Sequence, residues 1–201
     1  MHLRAGTTDL AIFDQIFAMQ DCAVPFALRA SLIIDGGAHI GCAAVYYARR
    51  YRNARIVAIE AERGNYEMLK QNVASLPNIV PIHGALWSEG GKLAIADPGA
   101  QTWAFQVTES AEGDIPAFTI DDILAMSGQT EIGLLKLDIE GTEARVFAAD
   151  CSAWLSRTHV INIELHDRLV PNCTGAFLAA IAPHGFSRRR RTQHNVVVAR
   201  R

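Results

Sequence analysis

The sequence is poor in cysteine and lacks any long uninterrupted apolar run. Its 201 residues include four cysteines, widely scattered and with no Cys-x-x-Cys pair. This spacing argues against a disulfide framework and a zinc knuckle, and it is typical of a cytoplasmic protein. Acidic and polar residues interrupt the apolar positions of the N-terminal stretch, so we expect neither a signal peptide nor a membrane span.

The chain also lacks an excess of charge of either sign. Its formal net charge is -2 at pH 7, which gives no electrostatic reason to expect nucleic acid or a membrane surface as the partner. The one dense run of positive charge, Arg188–Arg191, falls on a predicted edge hairpin, where a solvated edge is favoured over an RNA-binding surface. A small molecule is therefore the expected partner.

Apolar residues are plentiful and occur in short runs along the chain. They make up 50% of the chain, enough to bury a core, and a chain of this length suits a single domain. Residues 1–30 predict an N-terminal helical cap, in which Asp9 caps a helix that covers a sheet edge. Residues 88–117 lose clean periodicity and gain glycine and proline, which predicts an irregular hairpin insertion.

Strand and helix patterns alternate along the rest of the chain. Thr119 with Asp122 predicts a capping box for a short helix that ends near Gly128. The final two strands are too close together for a crossover and are expected to pair antiparallel. We therefore predict an α/β, Rossmann-like, doubly wound and mostly parallel seven-stranded sheet with an antiparallel last strand. The predicted strands are Ser31–Asp35, Arg55–Glu60, Ile79–Ile82, Ile132–Gly141, Thr158–Leu165, Phe186–Arg191 and Asn195–Ala199, and the longer helices are Cys42–Arg50, Asn65–Ser75, Thr142–Leu155 and Thr174–Pro183.

The first predicted strand leads into a glycine-rich turn, LIIDGGAHIG. Its glycines let backbone amides and a helix N-terminus approach a ligand closely at the carboxyl edge of the sheet. Glu60 ends the second strand, where a carboxylate can accept hydrogen bonds from both hydroxyls of an adenosine ribose. The two features together predict a nucleoside-binding site.

Three interpretations fit this turn. A nicotinamide-dependent oxidoreductase would place a dinucleotide pyrophosphate against the carboxylate of Asp35, which would repel it. S-adenosylmethionine carries a sulfonium and an ammonium, so Asp35 favours this cofactor, and the turn amides can meet its carboxylate. In the third interpretation the glycines only form a tight turn and Glu60 is a solvated strand end. A chain of that kind could still be a non-catalytic scaffold that uses its sheet for partner binding.

The stretch LLKLDIEGTE places ionisable residues on a predicted buried strand. Lys136 and Asp138 share a face because strand side chains alternate, and a lysine there requires a partner or a function. Asp138 is its nearest predicted partner. Glu164 and His166 end the next strand and project to one side, close to Asp138.

The predicted chemistry of this second stretch depends on His166. An ordinary histidine titrates near neutrality, so we expect His166 to remove the proton of an acceptor hydroxyl while Asp138 and Glu164 orient it or the acceptor. Purely structural roles for His166 and Lys136 remain alternatives. A divalent metal held by Asp138, Glu164 and His166 is a further alternative that we do not favour, because histidine is an unusual magnesium ligand.

In their order and spacing these motifs resemble the FkbM family of S-adenosylmethionine-dependent methyltransferases. The resemblance runs from about Leu32 to Asp167. It implies a class I methyltransferase fold and usually O-methylation of a hydroxyl on a sugar or natural product. The acceptor itself leaves no signal, so the insertion, the N-terminal helix or a second copy of the chain in a homo-oligomer must shape its pocket. The stretches that carry the resemblance are LIIDGGAHIG, VAIEAERGNYEMLKQN, FTIDDIL, LLKLDIEGTE and INIELHD.

Carried over position by position, the resemblance implies two groups of site residues. Two departures stand out, because His39 replaces a frequent asparagine and Ala61 a frequent proline. His39 could make cofactor binding sensitive to pH. The implied cofactor residues are Asp35, Gly37, His39, Gly41, Glu60, Ala61, Ala85, Leu86 and Trp87. The implied catalytic residues are Lys136, Asp138, Glu140, Glu164 and His166.

Overall fold

The structure is built on strands whose residues are buried on both faces of a sheet. The computed structural model describes residues 1–96 and 106–200. In chain order the strands are β1 (Leu32–Gly36), β2 (Arg55–Glu60), β3 (Ile79–His83), β4 (Ala85–Leu86), β5 (Gly91–Ile95), β6 (Val107–Glu109), β7 (Ile115–Phe118), β8 (Ile132–Leu137), β9 (Thr158–Glu164), β10 (Phe186–Arg191) and β11 (Asn195–Arg200). The helices are α1 (Asp9–Phe17), α2 (Cys42–Arg50), α3 (Arg63–Val73), α4 (Ile120–Ser127), α5 (Glu143–Ala148), α6 (Ser152–Leu155) and α7 (Cys173–Ile181), and α7 continues into a 3-10 turn, Ala182–His184.

Seven strands form one sheet in the order β10-β11-β9-β8-β1-β2-β3. The five strands from β9 to β3 are mutually parallel. Strand β11 runs antiparallel to β9, and β10 runs antiparallel to β11. The predicted doubly wound, mostly parallel sheet is confirmed. Because the chain turns to opposite sides of the sheet after β1 and β8, a crevice opens outside the carboxyl ends of these strands.

The sheet separates two apolar cores. Ile34 of β1 packs on one face with Phe177 of α7, whereas its neighbour Ile33 packs on the other face with Tyr47 and Leu69 of α2 and α3. Adjacent residues enter opposite cores because strand side chains alternate. Full burial of each such side chain contributes about 1.5–3 kcal/mol, which fixes the strands that carry the site.

Helix α1 differs from the prediction in its start and in its position. Thr8 is the N-cap, and Asp9 is the first helical residue, fully buried and 2.9 Å from the guanidinium of Arg4. The helix packs on α2 rather than on a sheet edge, with the rings of Phe17 and Tyr46 6.1 Å apart. The carboxylate of Asp9 pairs with Arg4 because burial makes an unpaired charge costly.

The predicted irregular insertion contains regular structure. Strands β4 to β7 form a second sheet in the order β4-β7-β5-β6, in which β5 pairs antiparallel with both β6 and β7. Leu93, Ile115 and Trp87 belong to a small apolar core beside this second sheet. These strands have two to five residues each, too short for their alternation to be recognised in the sequence. Residues 97–105 of the predicted insertion lie outside the described residues.

The helices are short, and one predicted helix is split. The stretch predicted as one helix over Thr142–Leu155 contains α5 and α6, and Asp150 Oδ1 accepts a hydrogen bond from Ser152 N at 3.1 Å at the break. The longest helix, α3, has 11 residues. Within residues 1–96 and 106–200, none of the helices is long and apolar enough to cross a membrane.

Candidate active site

A cavity of about 420 Å³ lies at the carboxyl edge of the parallel strands. The ends of β1, β2, β8 and β9 contribute to its wall, and α1 lies against it. Its volume falls within the roughly 300–1,000 Å³ that is typical of small-molecule sites. The cavity therefore occupies the crevice that the sheet topology predicts for a ligand.

The turn after β1 requires glycine at Gly37. Its φ is +71°, and a Cβ atom there would lie 1.8 Å from the carbonyl oxygen of Asp138. His39 also adopts the left-handed region, with φ of +50°, a conformation that costs of order 1–3 kcal/mol in a non-glycine residue. The turn is held by Ile59 O, which accepts hydrogen bonds from Gly37 N at 3.1 Å and Ala38 N at 2.9 Å.

Asp35 lies beneath this turn, outside the cavity wall. Its side chain is fully buried, and its Oδ1 lies 3.1 Å from Lys136 Nζ. Lys136 Nζ is farther from its predicted partner, at 3.8 Å from Asp138 Oδ2. Asp35 is the nearer partner because β1 and β8 pair with Asp35 directly opposite Lys136.

This pairing corrects the cofactor argument made from the sequence. Burial raises the pKa of Asp35, and the Lys136 ammonium limits that rise. Burial lowers the pKa of Lys136, but the carboxylates of Asp35 and Asp138 outweigh burial and raise it. The charge of Asp35 is therefore balanced inside the protein and does not discriminate between a cationic methyl donor and a dinucleotide.

Glu60 is held at the end of β2 with its carboxylate in the cavity wall. Its Oε2 accepts a hydrogen bond from His39 N at 2.8 Å, and its Oε1 accepts one from Glu62 N at 2.9 Å. Burial raises the pKa of Glu60 to about 7, against these hydrogen bonds. Asn65 Nδ2 also donates to Oε1, at 3.5 Å, so it is Oε2 that keeps a lone pair for a ligand hydroxyl.

The imidazole of His39 lines the cavity without a hydrogen-bond partner among the described residues. Its side chain is 13% exposed, and the carboxylate nearest to it, Asp9 Oδ1, lies 3.7 Å from Nε2. Burial lowers the pKa of His39 to about 4. The ring is therefore neutral near pH 7, which argues against the predicted pH-sensitive cofactor binding. Buried polar atoms without partners are rare in proteins, so this ring is well suited to a ligand.

The ends of β8 and β9 place three carboxylates around one imidazole. The Nε2 atom of His166 lies 3.5 Å from Glu140 Oε2, 3.8 Å from Asp138 Oδ1 and 3.9 Å from Glu164 Oε1. The three acids line the cavity, whereas the His166 side chain lies behind them and is 2% exposed. The structure thus brings the predicted catalytic residues together.

Glu143, to which the sequence analysis assigned no role, holds His166 in place. Its Oε1 lies 3.1 Å from His166 Nδ1. The same carboxylate accepts hydrogen bonds from Ile139 N and Gly141 N, both at 2.8 Å. The contact with Glu143 requires a proton on Nδ1 and turns Nε2 toward the cavity acids. In the sequence, Glu143 is the last residue of the motif LLKLDIEGTE, which is the one feature that marks it, because it lies beyond the end of the strand.

This arrangement argues against His166 as the acceptor of a substrate proton. The ring is shielded from the cavity by carboxylates. Burial lowers the pKa of His166, but Glu143 and then Glu140 and Asp138 outweigh burial and raise it to about 9. Burial and Asp138 likewise raise the pKa of Glu140 to about 7. The sequence does not predict this raised pKa, because the acids that face His166 come from separate elements.

Not every predicted cofactor residue reaches the cavity. Gly41 is the N-cap of α2, and a Cβ atom there would lie 2.7 Å from Leu69 Cδ1. Trp87 lies in the core of the second sheet, and its Nε1 donates a hydrogen bond to Glu109 at 3.2 Å. Six predicted residues do line the cavity, namely Gly37, His39, Glu60, Ala61, Ala85 and Leu86.

One wall of the cavity comes from elements outside the sequence motifs. Helix α1 contributes Gln15, and the turn before β11 contributes His194. Buried Asp21 joins them, since its Oδ2 lies 2.6 Å from His194 Nδ1 and accepts a hydrogen bond from Gln15 Nε2 at 3.1 Å. No local pattern marks these residues, because only the docking of α1 brings them to the site.

A family model described as the methyltransferase FkbM domain matches residues 35–186. The chain belongs to the FkbM methyltransferase family. The matched range contains both the glycine turn and the acid cluster around His166, so the resemblance drawn from the motifs is confirmed.

Comparison with similar proteins shows the fold. The 31-O-demethyl-FK506 methyltransferase FkbM of Streptomyces tacrolimicus is 37% identical over 68 residues, 34% of this chain and 25% of that protein. The crystal structure of methyltransferase FkbM from Methylobacillus flagellatus KT has a TM-score of 0.61 and 16% identity, covering 93% of this chain and 47% of that chain. The mitomycin 7-O-methyltransferase MmcR has a TM-score of 0.55 and 9% identity, covering 96% of this chain and 55% of that chain. The fold is that of class I methyltransferases, and the chain spans between a quarter and about half of these relatives' lengths.

Proposed function

We propose that this chain is an S-adenosylmethionine-dependent methyltransferase that methylates a hydroxyl oxygen of a small molecule. One observation carries the proposal. A single cavity of about 420 Å³ joins the glycine turn and Glu60 at one end to a cluster of acids at the other. Membership of the FkbM family supports this proposal, and the names of two similar proteins refer to O-methylation.

The residues at the β1 and β2 end fit the methyl donor. Two backbone amides orient the Glu60 carboxylate, whose Oε2 can receive a ribose hydroxyl. Gly37 packs so closely on the Asp138 carbonyl that a side chain there would displace the turn that faces the donor. The ring nitrogens of His39 supply an unpartnered polar surface. Ala85 and Leu86 supply an apolar one for the adenine. When bound, S-adenosylmethionine provides a methyl group already activated by its sulfonium.

The residues at the β8 and β9 end fit the second task, which is to align an acceptor oxygen and take its proton. Alignment of reacting groups contributes roughly 7–11 kcal/mol at best. We assign the proton to Glu164, which lines the cavity and whose side chain is 21% exposed. In the described part of the chain its one ionic contact is with His166 Nε2 at 3.9 Å, beyond hydrogen-bond distance. The Glu164 carboxylate is therefore free to approach a substrate.

A nicotinamide-dependent oxidoreductase is the second candidate. It gains one point of support, since Lys136 balances the charge of Asp35 that would have repelled a pyrophosphate. The acid cluster at the other end of the cavity offers no comparable match to hydride transfer. A scaffold without activity would have no need for carboxylates gathered around a cavity. Methyl transfer therefore remains the better fit.

The proposal is tested by incubating the chain with S-adenosylmethionine and a panel of sugars and hydroxylated natural products. Product mass is the measurement. We expect one acceptor class to gain a methyl group, and Gly37→Ala to abolish the gain through lost donor binding. Binding of NAD without binding of S-adenosylmethionine would overturn the proposal and favour the oxidoreductase.

A further inference from the structure

We propose that Asp138, Glu140 and His166 form a binding site for one divalent transition-metal ion, with Mn²⁺ the best-matched ion. One carboxylate oxygen from each acid and one ring nitrogen of the histidine lie within 4.8 Å of one another. The proposal rests on the geometry of this cluster and does not depend on the identity of the methyl donor. It replaces Glu164 of the sequence-based metal alternative with Glu140.

The distances from His166 to the two acids are those between metal ligands. His166 Nε2 lies 3.5 Å from Glu140 Oε2 and 3.8 Å from Asp138 Oδ1, and a hydrogen bond at the longer distance would be negligible. Ligands that each lie about 2.1 Å from a common ion are separated by roughly 3.0–4.2 Å, depending on the angle at the metal. Both distances fall in that interval.

A second observation comes from the Glu140 carboxylate itself. The residue is 9% exposed, and its Oε2 is a buried oxygen with no hydrogen-bond donor among the described residues. Its backbone is held in the left-handed region, with φ of +53°. Gln106 Nε2 donates a hydrogen bond to its carbonyl oxygen at 3.1 Å. A buried carboxylate oxygen without a donor costs free energy, so its position indicates a ligand.

The orientation of His166 is also that of a metal-binding histidine. Such histidines commonly donate their second ring N–H to a carboxylate, which fixes the ring and the free nitrogen. Glu143 Oε1 lies 3.1 Å from His166 Nδ1, and both side chains are buried. The Ile139 and Gly141 amides anchor Glu143 in turn. The Nε2 atom is thereby directed at the two acids, and a metal ion bound there would take the place of its proton.

The charge and chemistry of the cluster favour a transition-metal ion. Glu143 and Glu164 add two carboxylates around the proposed ligands, while the nearest other cation, Lys136, is closer to Asp35 than to Asp138. The excess of negative charge suits a divalent ion. One imidazole with carboxylate oxygens suits Mn²⁺ better than Mg²⁺, which prefers oxygen ligands. An ion here would lie beside Glu164 and could lower the pKa of an acceptor hydroxyl.

The test is a titration of the full chain with Mn²⁺ in the absence of methyl donor and acceptor. Free Mn²⁺ is read by electron paramagnetic resonance. We expect one saturable Mn²⁺ per chain. We expect Glu140→Gln to weaken binding by about tenfold or more, and Glu143→Gln to weaken it by about 10–100-fold. Glu131→Gln, at an exposed acid paired with His159, should leave the affinity unchanged.

A second readout uses the unaltered chain and so does not depend on the folding of a variant. Pulsed electron paramagnetic resonance of the bound Mn²⁺ should show coupling to one histidine nitrogen. No saturable binding by the folded chain would overturn the proposal, as would bound Mn²⁺ without nitrogen coupling. Equal affinities for folded Glu140→Gln and Glu131→Gln would also overturn it. Since neither measurement contains S-adenosylmethionine, their outcome is separate from that of the proposed function.

Discussion

The ammonium of Lys136 lies 3.1 Å from the carboxylate of Asp35, and both side chains are buried below the glycine turn. The same ammonium donates a hydrogen bond to Gly37 O at 2.9 Å. Lys136 therefore joins β8 to β1 and supports the turn from beneath. Its contacts assign it to the positioning of the turn, whereas the sequence placed it among the catalytic residues.

Removing this ammonium should destabilise the fold strongly. Breaking a buried ion pair leaves an uncompensated charge, so we expect Lys136→Met to lower the free energy of unfolding by about 3–5 kcal/mol. Urea denaturation is the measurement. Adding Asp35→Leu should restore most of the loss. The exposed pair Arg157–Asp121 is the control, since Arg157→Met should cost less than about 1 kcal/mol. Losses from Lys136→Met and Asp35→Leu that simply add would contradict a coupled pair.

A side chain at position 37 should abolish donor binding. The Cβ atom of Gly37→Ala would meet the Asp138 carbonyl at 1.8 Å, and φ is +71°, so the turn must move. We expect calorimetry to detect no saturable binding of S-adenosylmethionine to this variant. A Cβ atom at Gly90 would have no other atom within 4 Å, and Gly90→Ala should bind normally. Equal affinities for the two variants would refute this account of the turn.

The sequence predicts those parts of the molecule that local patterns determine. Apolar runs identify the strands of the large sheet except β10, which contains four arginines. The predicted capping box is present, with Asp122 N donating to Thr119 Oγ1 at 3.0 Å. Local patterns do not determine which charged residues of the site are in contact. Asp35 meets Lys136 through strand register, and Glu143 meets His166 across 23 residues of chain. The ionic partners of these residues, and the pKa values that depend on them, therefore follow from the three-dimensional structure and not from the sequence.

The position of α1 in the cavity wall is likewise not predicted by the sequence. Its amphipathic spacing predicts a helix but does not predict that the helix docks on α2 and brings Gln15 to the cavity. The sequence does not predict the second sheet, because its strands are short and contain glycine and proline. Most of the cofactor residues that the motifs imply do lie in the cavity wall, because they lie at or just after the ends of β1, β2 and β3.

Glu60 should make stability depend on pH. Its pKa is raised from 4.5 to about 7, so the folded state holds more protons than the unfolded state between these values, and stability falls as pH rises through them. Glu60→Gln removes this titration, while Glu62 and Arg4, the charged groups nearby, remain. We expect the stability advantage of the unaltered chain over the variant to shrink from pH 5 to pH 8. Thermal denaturation is the measurement, and a difference that is constant with pH would contradict the burial of Glu60.

His39 should bind the donor as a neutral ring. Its pKa of about 4 places its titration well below neutrality, so it cannot contribute a pH dependence between pH 6 and pH 8. We expect the affinity for S-adenosylmethionine to follow the same pH profile in the unaltered chain and in His39→Asn. Calorimetry at several pH values is the measurement. A profile that flattens only in the variant would show that His39 is protonated when the donor binds.

Glu164 should affect turnover without affecting donor binding. General base catalysis contributes roughly 10²–10⁴-fold, so we expect Glu164→Gln to lower kcat by a factor in that range once an acceptor is known. Its affinity for S-adenosylmethionine should remain normal, and Glu131→Gln should retain full turnover. Unchanged kcat in Glu164→Gln, under conditions where chemistry limits the rate, would exclude Glu164 as the proton acceptor.

The central claim is that the cavity between the glycine turn and the acid cluster binds a methyl donor. Calorimetric titration of the 201-residue chain with S-adenosylmethionine tests it most directly. We predict saturable one-to-one binding that competes with S-adenosylhomocysteine, is lost in Gly37→Ala and is retained in Gly90→Ala. A folded chain that binds neither compound, or that binds NAD in their place, would contradict the account.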